Sequence, residues 1–447
     1  VIIIILVFAL FLLTIDASAQ HQHHPPEDPK PQEHTSHDSE TTTEQNQATK
    51  FLLSEGAGSA TNPESAFMAM PARKIGNWNL MTHAYAFLNN IQQTGPRGGD
   101  RTFSSNHLMF IGSREINERS TFFVRTMFSF EPATVEDRQY PLLFQTGETA
   151  FDEPIVDGQH PHDLFMELSV QYAIQLNDDT LLHFYGAPVG DPALGPVAFP
   201  HRLSAQELPQ ATLSHHLQDS THIAVDVLTA GIKYKSVRWE FGGFHGSEPD
   251  EGRWDIDQGP INSWATRLTL TPAPEWSAQV STGRLKDPEI HEPGDIHRTT
   301  ASVTNYTPIS EGFWATSVIW GQNKKIELDR YLNSYSFETL YQFKRDNSLT
   351  GRIEIVDKDE LFPHDDDEHE ASELEEEIFR VKSFTFGYAR DFNLIPGLRT
   401  GIGANMTLYS FPSALESFYG DSPKSFLFYF RIGSAHHSQH SAEMPHH

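Results

Sequence analysis

Cysteine is absent from this 447-residue chain, so neither a disulfide nor a thiolate metal site belongs to its chemistry. Long apolar runs are almost absent too: residues 1–13 form the one clear case. A membrane helix needs about 20 apolar residues, so helical spans are excluded. Positive charge is scarce, with 32 Lys and Arg against 60 Asp and Glu and a net charge of -28. That balance argues against nucleic acid or an anionic membrane surface as partner.

The apolar run is followed by Ala17-Ser18-Ala19, the layout of a secretory signal cut after Ala19. Residues 1–19 are therefore read as a signal peptide. Exported chains commonly rely on disulfides. Without them, stability must come from size, from closed hydrogen bonding or from the membrane. Residues 20–74 begin with His21, His23, His24, His34 and His37 among Pro, Glu and Thr. Such a composition builds no core and is expected to be disordered, as a solvated tail or a low-affinity metal collector. Residues 434–447, with His436, His437, His440, His446 and His447, form a matching His-rich tail.

Between residues 75 and 433 the pattern changes to stretches of about ten residues that alternate apolar and polar side chains, the signature of barrel strands. About sixteen such stretches are present, from residues 76–90 to residues 425–433, an even number as a single-chain bacterial barrel requires. The links alternate in length as well. Asn117-Glu118-Arg119, Asn177-Asp178-Asp179 and Lys344-Arg345-Asp346-Asn347 are tight, whereas the links between them are long and rich in acid, proline and histidine. Short periplasmic turns and long external loops give this phase. The expected fold is an all-β, antiparallel transmembrane barrel in the bacterial outer membrane, with disordered His-rich tails at both ends.

The stretch Asp157-Gly158-Gln159-His160-Pro161-His162-Asp163 sets two imidazoles around a proline that favours extended backbone. Residues two apart then face one side, so His160 and His162 converge, with carboxylates flanking them as in many transition-metal sites. Read alone, the heptad is equally a polar loop whose histidines cap backbone groups. It ends the third link, residues 134–163, while the fifth link, residues 188–221, supplies His201, His215, His216 and Asp219, with His222 just beyond. Loops of more than about 15 residues are usually functional, and both are expected to fold into the barrel mouth as one six-histidine chamber. Asp163 is expected to orient an imidazole from behind.

On the alternation rule Met81, His83, His107 and Met109 face the lumen, with Arg125, Met127 and Glu131 beyond. Thioethers with imidazoles suggest a second, softer station for copper(I), and Met68 and Met70 add two more thioethers. Methionine also fills gaps in any lumen. The acidic link around His364 and His369 reads as a solubilising loop or a cation sink. Ser204 or Ser214 could pair with His215 or His216 for hydrolysis, with Asp219 or Asp226 as orienting acid. No strained nucleophile turn surrounds either serine, so no catalytic residue is assigned and the protein is not expected to be an enzyme.

Several stretches resemble an uncharacterised family of bacterial outer-membrane barrel-like proteins. They are Trp78-Asn79-Leu80-Met81-Thr82-His83, Thr94-Gly95-Pro96-Arg97-Gly98-Gly99-Asp100, residues 140–148, residues 157–168 and Gly195-Pro196-Val197-Ala198-Phe199-Pro200-His201-Arg202. The last of these leads on to Ser214-His215-His216 and Asp219-Ser220-Thr221-His222-Ile223. The resemblance covers residues 78–285 and excludes the acidic link and the His-rich ends. It implies a link to copper and heavy-metal handling and assigns no reaction. The expected function is an outer-membrane barrel that binds or passes a transition-metal ion, copper first and zinc second. The expected partners are outer-membrane lipid, the metal ion and a periplasmic metal-handling protein. The alternatives are a passive cation-selective porin and a barrel-embedded hydrolase.

Overall fold

The computed structural model describes residues 45–66, 70, 72–290, 294–363, 374–375 and 377–434. The expected signal peptide, the histidines of residues 20–44, Met68, the acidic link at His364 and His369 and the tail after Ser434 lie outside the described residues. The chain opens with helix α1 (Gln47–Leu53), whose Asn46 side chain accepts from the Thr49 amide as an N-cap. A small hairpin follows, β1 (Glu55–Ala57) and β2 (Ala60–Thr61). Strand β3 (Ala72–Ile75) turns at Gly76 into β4 (Trp78–Gln93), and β5 (Asp100–Asn117) and β6 (Ser120–Phe128) come next. The hairpin β7 (Tyr140–Ala150) and β8 (Glu153–Gln159) lies inside the following link.

The wall continues with β9 (Phe165–Asn177), β10 (Thr180–Gly190), β11 (Ala224–Tyr234), β12 (Val237–His245), β13 (Ser263–Ala273) and β14 (Trp276–Leu285). It then runs through β15 (Ile296–Ile309), β16 (Gly312–Lys325), β17 (Arg330–Phe343), β18 (Asn347–Lys358), β19 (Phe379–Phe392), β20 (Leu398–Ser410) and β21 (Lys424–Ser434). One-turn helix α2 (His215–Gln218) stands between β10 and β11, and α3 (Glu416–Tyr419) between β20 and β21. Strands β4, β5, β6 and β9 to β21 form a closed antiparallel barrel of sixteen staves, sealed by β21 against β4 from Ser425↔Gln93 to Gly433↔Tyr85. Below that seam β3 takes over the β4 edge at Trp78–Met81, so the edge is not left with open backbone groups.

The two-residue period sorts side chains by solvent. On β17, Tyr335 and Phe337 point out and are exposed, while Ser334, Ser336 and Glu338 are buried inside. Around the wall Leu228, Phe241, Leu268, Val280, Val318, Ile353, Phe386 and Phe428 are exposed likewise. Leaving such side chains in water would forfeit about 2 kcal/mol each, so lipid is their solvent. Trp276, Trp314, Tyr341 and Tyr388, exposed beside the tight turns, form the interfacial aromatic girdle of a membrane barrel. The protein is an outer-membrane barrel.

The lumen is filled, and this corrects one expectation. Residues 20–74 were read as disordered, yet α1 and the β1–β2 hairpin form a plug inside the barrel. Arg125 of β6 donates to the carbonyls of Glu55 and Gly58. Arg238 of β12 pairs with Glu55 at 3.0 Å, and Arg267 of β13 donates to Ser59 Oγ at 2.7 Å. Ala48, Phe51 and Leu52 pack on Met81, Met109, Ile111, Phe123 and Met127. The segment has no core of its own; the wall supplies one.

The long link between β10 and β11 fills the remainder. Its Arg202 pairs with Glu338 of β17 at 2.6 Å. Its Glu207 reaches Arg399 and Arg431, close to the tight turn between β19 and β20. The external loop therefore crosses most of the lumen. Its Val197 and Ala198 meet Ala57 and Ala60 of the plug.

Candidate metal centre in the barrel lumen

Three imidazoles converge between the two inward loops. His160 follows β8, and His215 and His216 open α2. Each offers a ring nitrogen, and the three nitrogens lie within 4.8 Å of one another. Gly147 of β7 makes room for them: a Cβ there would sit about 2.5 Å from the His216 ring, and its φ of 113° favours glycine independently.

The ring nitrogens are oriented from behind. Asp219 Oδ1 accepts from His215 Nδ1 at 2.8 Å, and the Asp219 carbonyl accepts from His222 Nδ1 at 2.8 Å. The Pro161 carbonyl accepts from His160 Nδ1 at 3.1 Å, and Glu131 Oε2 accepts from His162 Nδ1 at 2.9 Å. A proton held on Nδ1 leaves the Nε2 lone pair facing the chamber, the arrangement in which histidine ligates metals. Nε2 of His222 is buried without a partner, and His216 has none on either nitrogen. Nε2 of His160 lies 2.9 Å from Glu148 Oε1 but off the line of a hydrogen bond, so its lone pair stays available. Glu248 Oε1 stands 3.8 Å from His216 Nδ1.

Electrostatics keeps most of these rings neutral. Burial pulls His215 down to about 4 and His201 to about 3, and holds His222 well below its ordinary value. Burial lowers His160 as well, opposed by Glu148. His162 is the exception: burial acts downward, but Glu131, Asp163 and Glu148 outweigh it and raise its pKa. Neutral imidazoles at the first three positions and a carboxylate-held imidazole at the fourth make a cation-binding chamber.

The loops bring together most of what the sequence suggested, with corrections. His160 and His162 do not converge on one point. His160 faces His215 and His216 with ring centroids 6.4 and 5.9 Å away, whereas His162 faces Phe199 and His222 at 5.7 and 5.4 Å. Asp163 orients no imidazole; it pairs with Arg253 at 3.1 Å, and Asp219 and Glu131 take the role instead. His201 leaves the loop group and stacks toward His107, 4.8 Å between centroids, while His83 Nδ1 lies 3.1 Å from His107 Nε2.

Met81 and Met109 do face the lumen, as the alternation rule requires, but they belong to the apolar cluster under the plug helix. Their part there is packing, which removes the thioether argument for copper(I). The serines carry no catalytic geometry. Ser204 Oγ bonds Ser317 and Glu338, and Ser214 Oγ donates to Glu354. Sequence reasoning gave no role to Glu148 or Glu248, because neither sits in a recognisable ligand spacing. Glu131 was placed in the lumen by alternation without its function being visible.

The architecture defines a porin-like outer-membrane barrel whose lumen is occupied by a plug and two loops. No family model matches the chain, and no curated protein matches it in sequence. Solved structures resemble it at low identity. The OmpF complex of Salmonella typhi with daunomycin is 8% identical, covering 81% of this chain and 100% of that one, with a TM-score of 0.47. An anion-selective porin from Comamonas acidovorans is 10% identical over 79% of this chain and 99% of that one, with a TM-score of 0.45. OmpT, an outer membrane protein of Vibrio cholerae, is 8% identical over 81% and 99%, with a TM-score of 0.44.

Proposed function

We propose that this outer-membrane barrel binds a divalent transition-metal ion in the buried site formed by His160, His215 and His216, and passes it through the lumen. The observation that carries the reading is the convergence of three ring nitrogens within 4.8 Å in rings whose protons are drawn away by Asp219 and Pro161. An all-imidazole set with Glu148 and Glu248 beside it suits copper(II) and zinc(II), copper being the tighter at equal geometry. Zinc and copper sit about 2.0 Å from imidazole nitrogen, so small ring rotations would complete the site.

Equilibrium titration of the full chain with zinc or copper(II), against His216→Ala and His160→Ala, tests this. Each variant should bind one tight ion fewer than the parent, and the His-rich tails contribute equally to both. If both variants keep the parent stoichiometry, the site is structural and the reading fails. A passive cation-selective porin is the second reading, favoured by the sixteen-strand porin-like wall. It calls for steady ion conductance in planar bilayers that neither variant alters.

A further inference from the structure

A second group of imidazoles lies deeper in the same lumen. His83 of β4 and His107 of β5 meet with Nδ1 and Nε2 3.1 Å apart. Two nitrogens sharing one tetrahedral ion at about 2.0 Å each stand about 3.3 Å apart, so this pair already has ligand spacing. His201, carried in by the β10–β11 loop, brings its ring centroid to 4.8 Å from His107. Nδ1 of His107 and Nε2 of His201 are buried with no hydrogen-bond partner. A buried unpaired ring nitrogen costs about 1–3 kcal/mol, a cost that a bound ion would relieve.

The group also has its own outlet. A cavity of about 50 Å³ is lined by His83, Tyr85, Pro200, His201, Arg399 and Arg431. Arg399 follows the tight turn between β19 and β20 directly, which puts the cavity at the periplasmic end. Arg399 and Arg431 both pair with Glu207 and Asp391, so two cations meet two carboxylates and the mouth does not repel a metal ion. The first site lies on the other side of the loop group, and His222 and His162 stand between, their rings 5.4 Å apart.

We propose that His83, His107 and His201 form a second metal station in series with the first, opening toward the periplasm through this cavity. The proposal rests on reading the lumen as a metal chamber, and it replaces a mixed methionine and histidine station with an all-imidazole one. Its ligand class is the same, a divalent transition-metal ion with an imidazole preference.

The test counts ions on the full chain, titrated with zinc and then with copper(II). His107→Gln keeps a hydrogen-bonding side chain near the ring volume but is a poor ligand, and His201→Ala changes only a loop residue. Near-ultraviolet circular dichroism checks that each variant retains its packing. Both variants should lose one ion relative to the parent, and His107→Gln combined with His216→Ala should lose two. If both lumen variants keep the parent count while His216→Ala loses one, the second station is wrong and the first stands. If His216→Ala keeps the count while His107→Gln and His201→Ala lose one, the deeper station stands and the first fails. Unchanged counts in all variants overturn both.

Discussion

Replacing Asp219 with asparagine should weaken metal binding by switching a proton on a neighbouring ring. Asp219 Oδ2 accepts from Arg202 Nη1 at 2.9 Å and from the Phe199 amide at 3.0 Å, while Oδ1 accepts from His215 Nδ1 at 2.8 Å. Asparagine has one oxygen, and two donors claim it on the Arg202 side. Its amide nitrogen must then face His215, and that group only donates. The imidazole accepts at Nδ1 by moving its proton to Nε2, which is the nitrogen aimed at the chamber. Loss of such an orienting partner costs 10- to 100-fold in metal affinity, about 1.4–2.7 kcal/mol.

The fold should survive this change, because Arg202 keeps two contacts to Glu338 at 2.6 and 3.2 Å. The assay is competition with a chromophoric chelator at pH 7, with His215→Ala as the benchmark for complete loss of the ligand. A folded Asp219→Asn protein that binds within twofold of the parent would refute the tautomer argument.

Acid should destabilise the lumen in a defined window. The folded pKa of His215 lies at about 4 against an ordinary 6.5, so the unfolded chain takes up a proton first as the pH falls. His215 therefore costs nothing above about pH 7 and up to about 3 kcal/mol as the pH approaches 4. The urea midpoint should drop across that range by less in His215→Gln than in the parent, and parallel drops would contradict the assignment. The plug gives a separate prediction. A Cβ on Gly58 would lie about 2.5 Å from the Asp191 carbonyl oxygen, at a φ of 50°, so Gly58→Ala should loosen residues 45–66 at a cost on the order of 1–2 kcal/mol. Limited proteolysis should then cut this segment while the barrel stays intact, and unchanged cleavage would show that the hairpin tolerates the methyl group.

The wall was legible because a membrane barrel writes its period into every strand. Lipid on one side and a polar lumen on the other demand alternation, and the alternation of short and long links gave the orientation. The hairpin Tyr140–Ala150 with Glu153–Gln159 was read as loop, since it borrows its packing from the lumen and shows no two-sided period. The plug was hidden for the same reason. Phe51 and Leu52 look isolated among polar residues until Met81, Met109 and Met127 surround them.

The candidate site was half legible, and the missing half concerns direction. Histidine-rich loops signalled a chamber, but which rings meet depends on where loops turn inside a closed wall. The one-residue spacing of His160 and His162 suggested a shared target; instead the chain leaves the β8 strand there, and each ring takes a different carboxylate, Glu148 for one and Glu131 for the other. Those two acids do different work. Glu148 is claimed by Arg253 and leaves His160 neutral, whereas Glu131, with help from Asp163 and Glu148, raises the pKa of His162. An imidazole that tends to stay charged therefore sits between two groups of histidines, and a cation moving from one to the other must pass it. Glu131→Gln removes the partner that favours the charged ring, and on this reasoning exchange between the two stations becomes faster while the affinity of each is preserved.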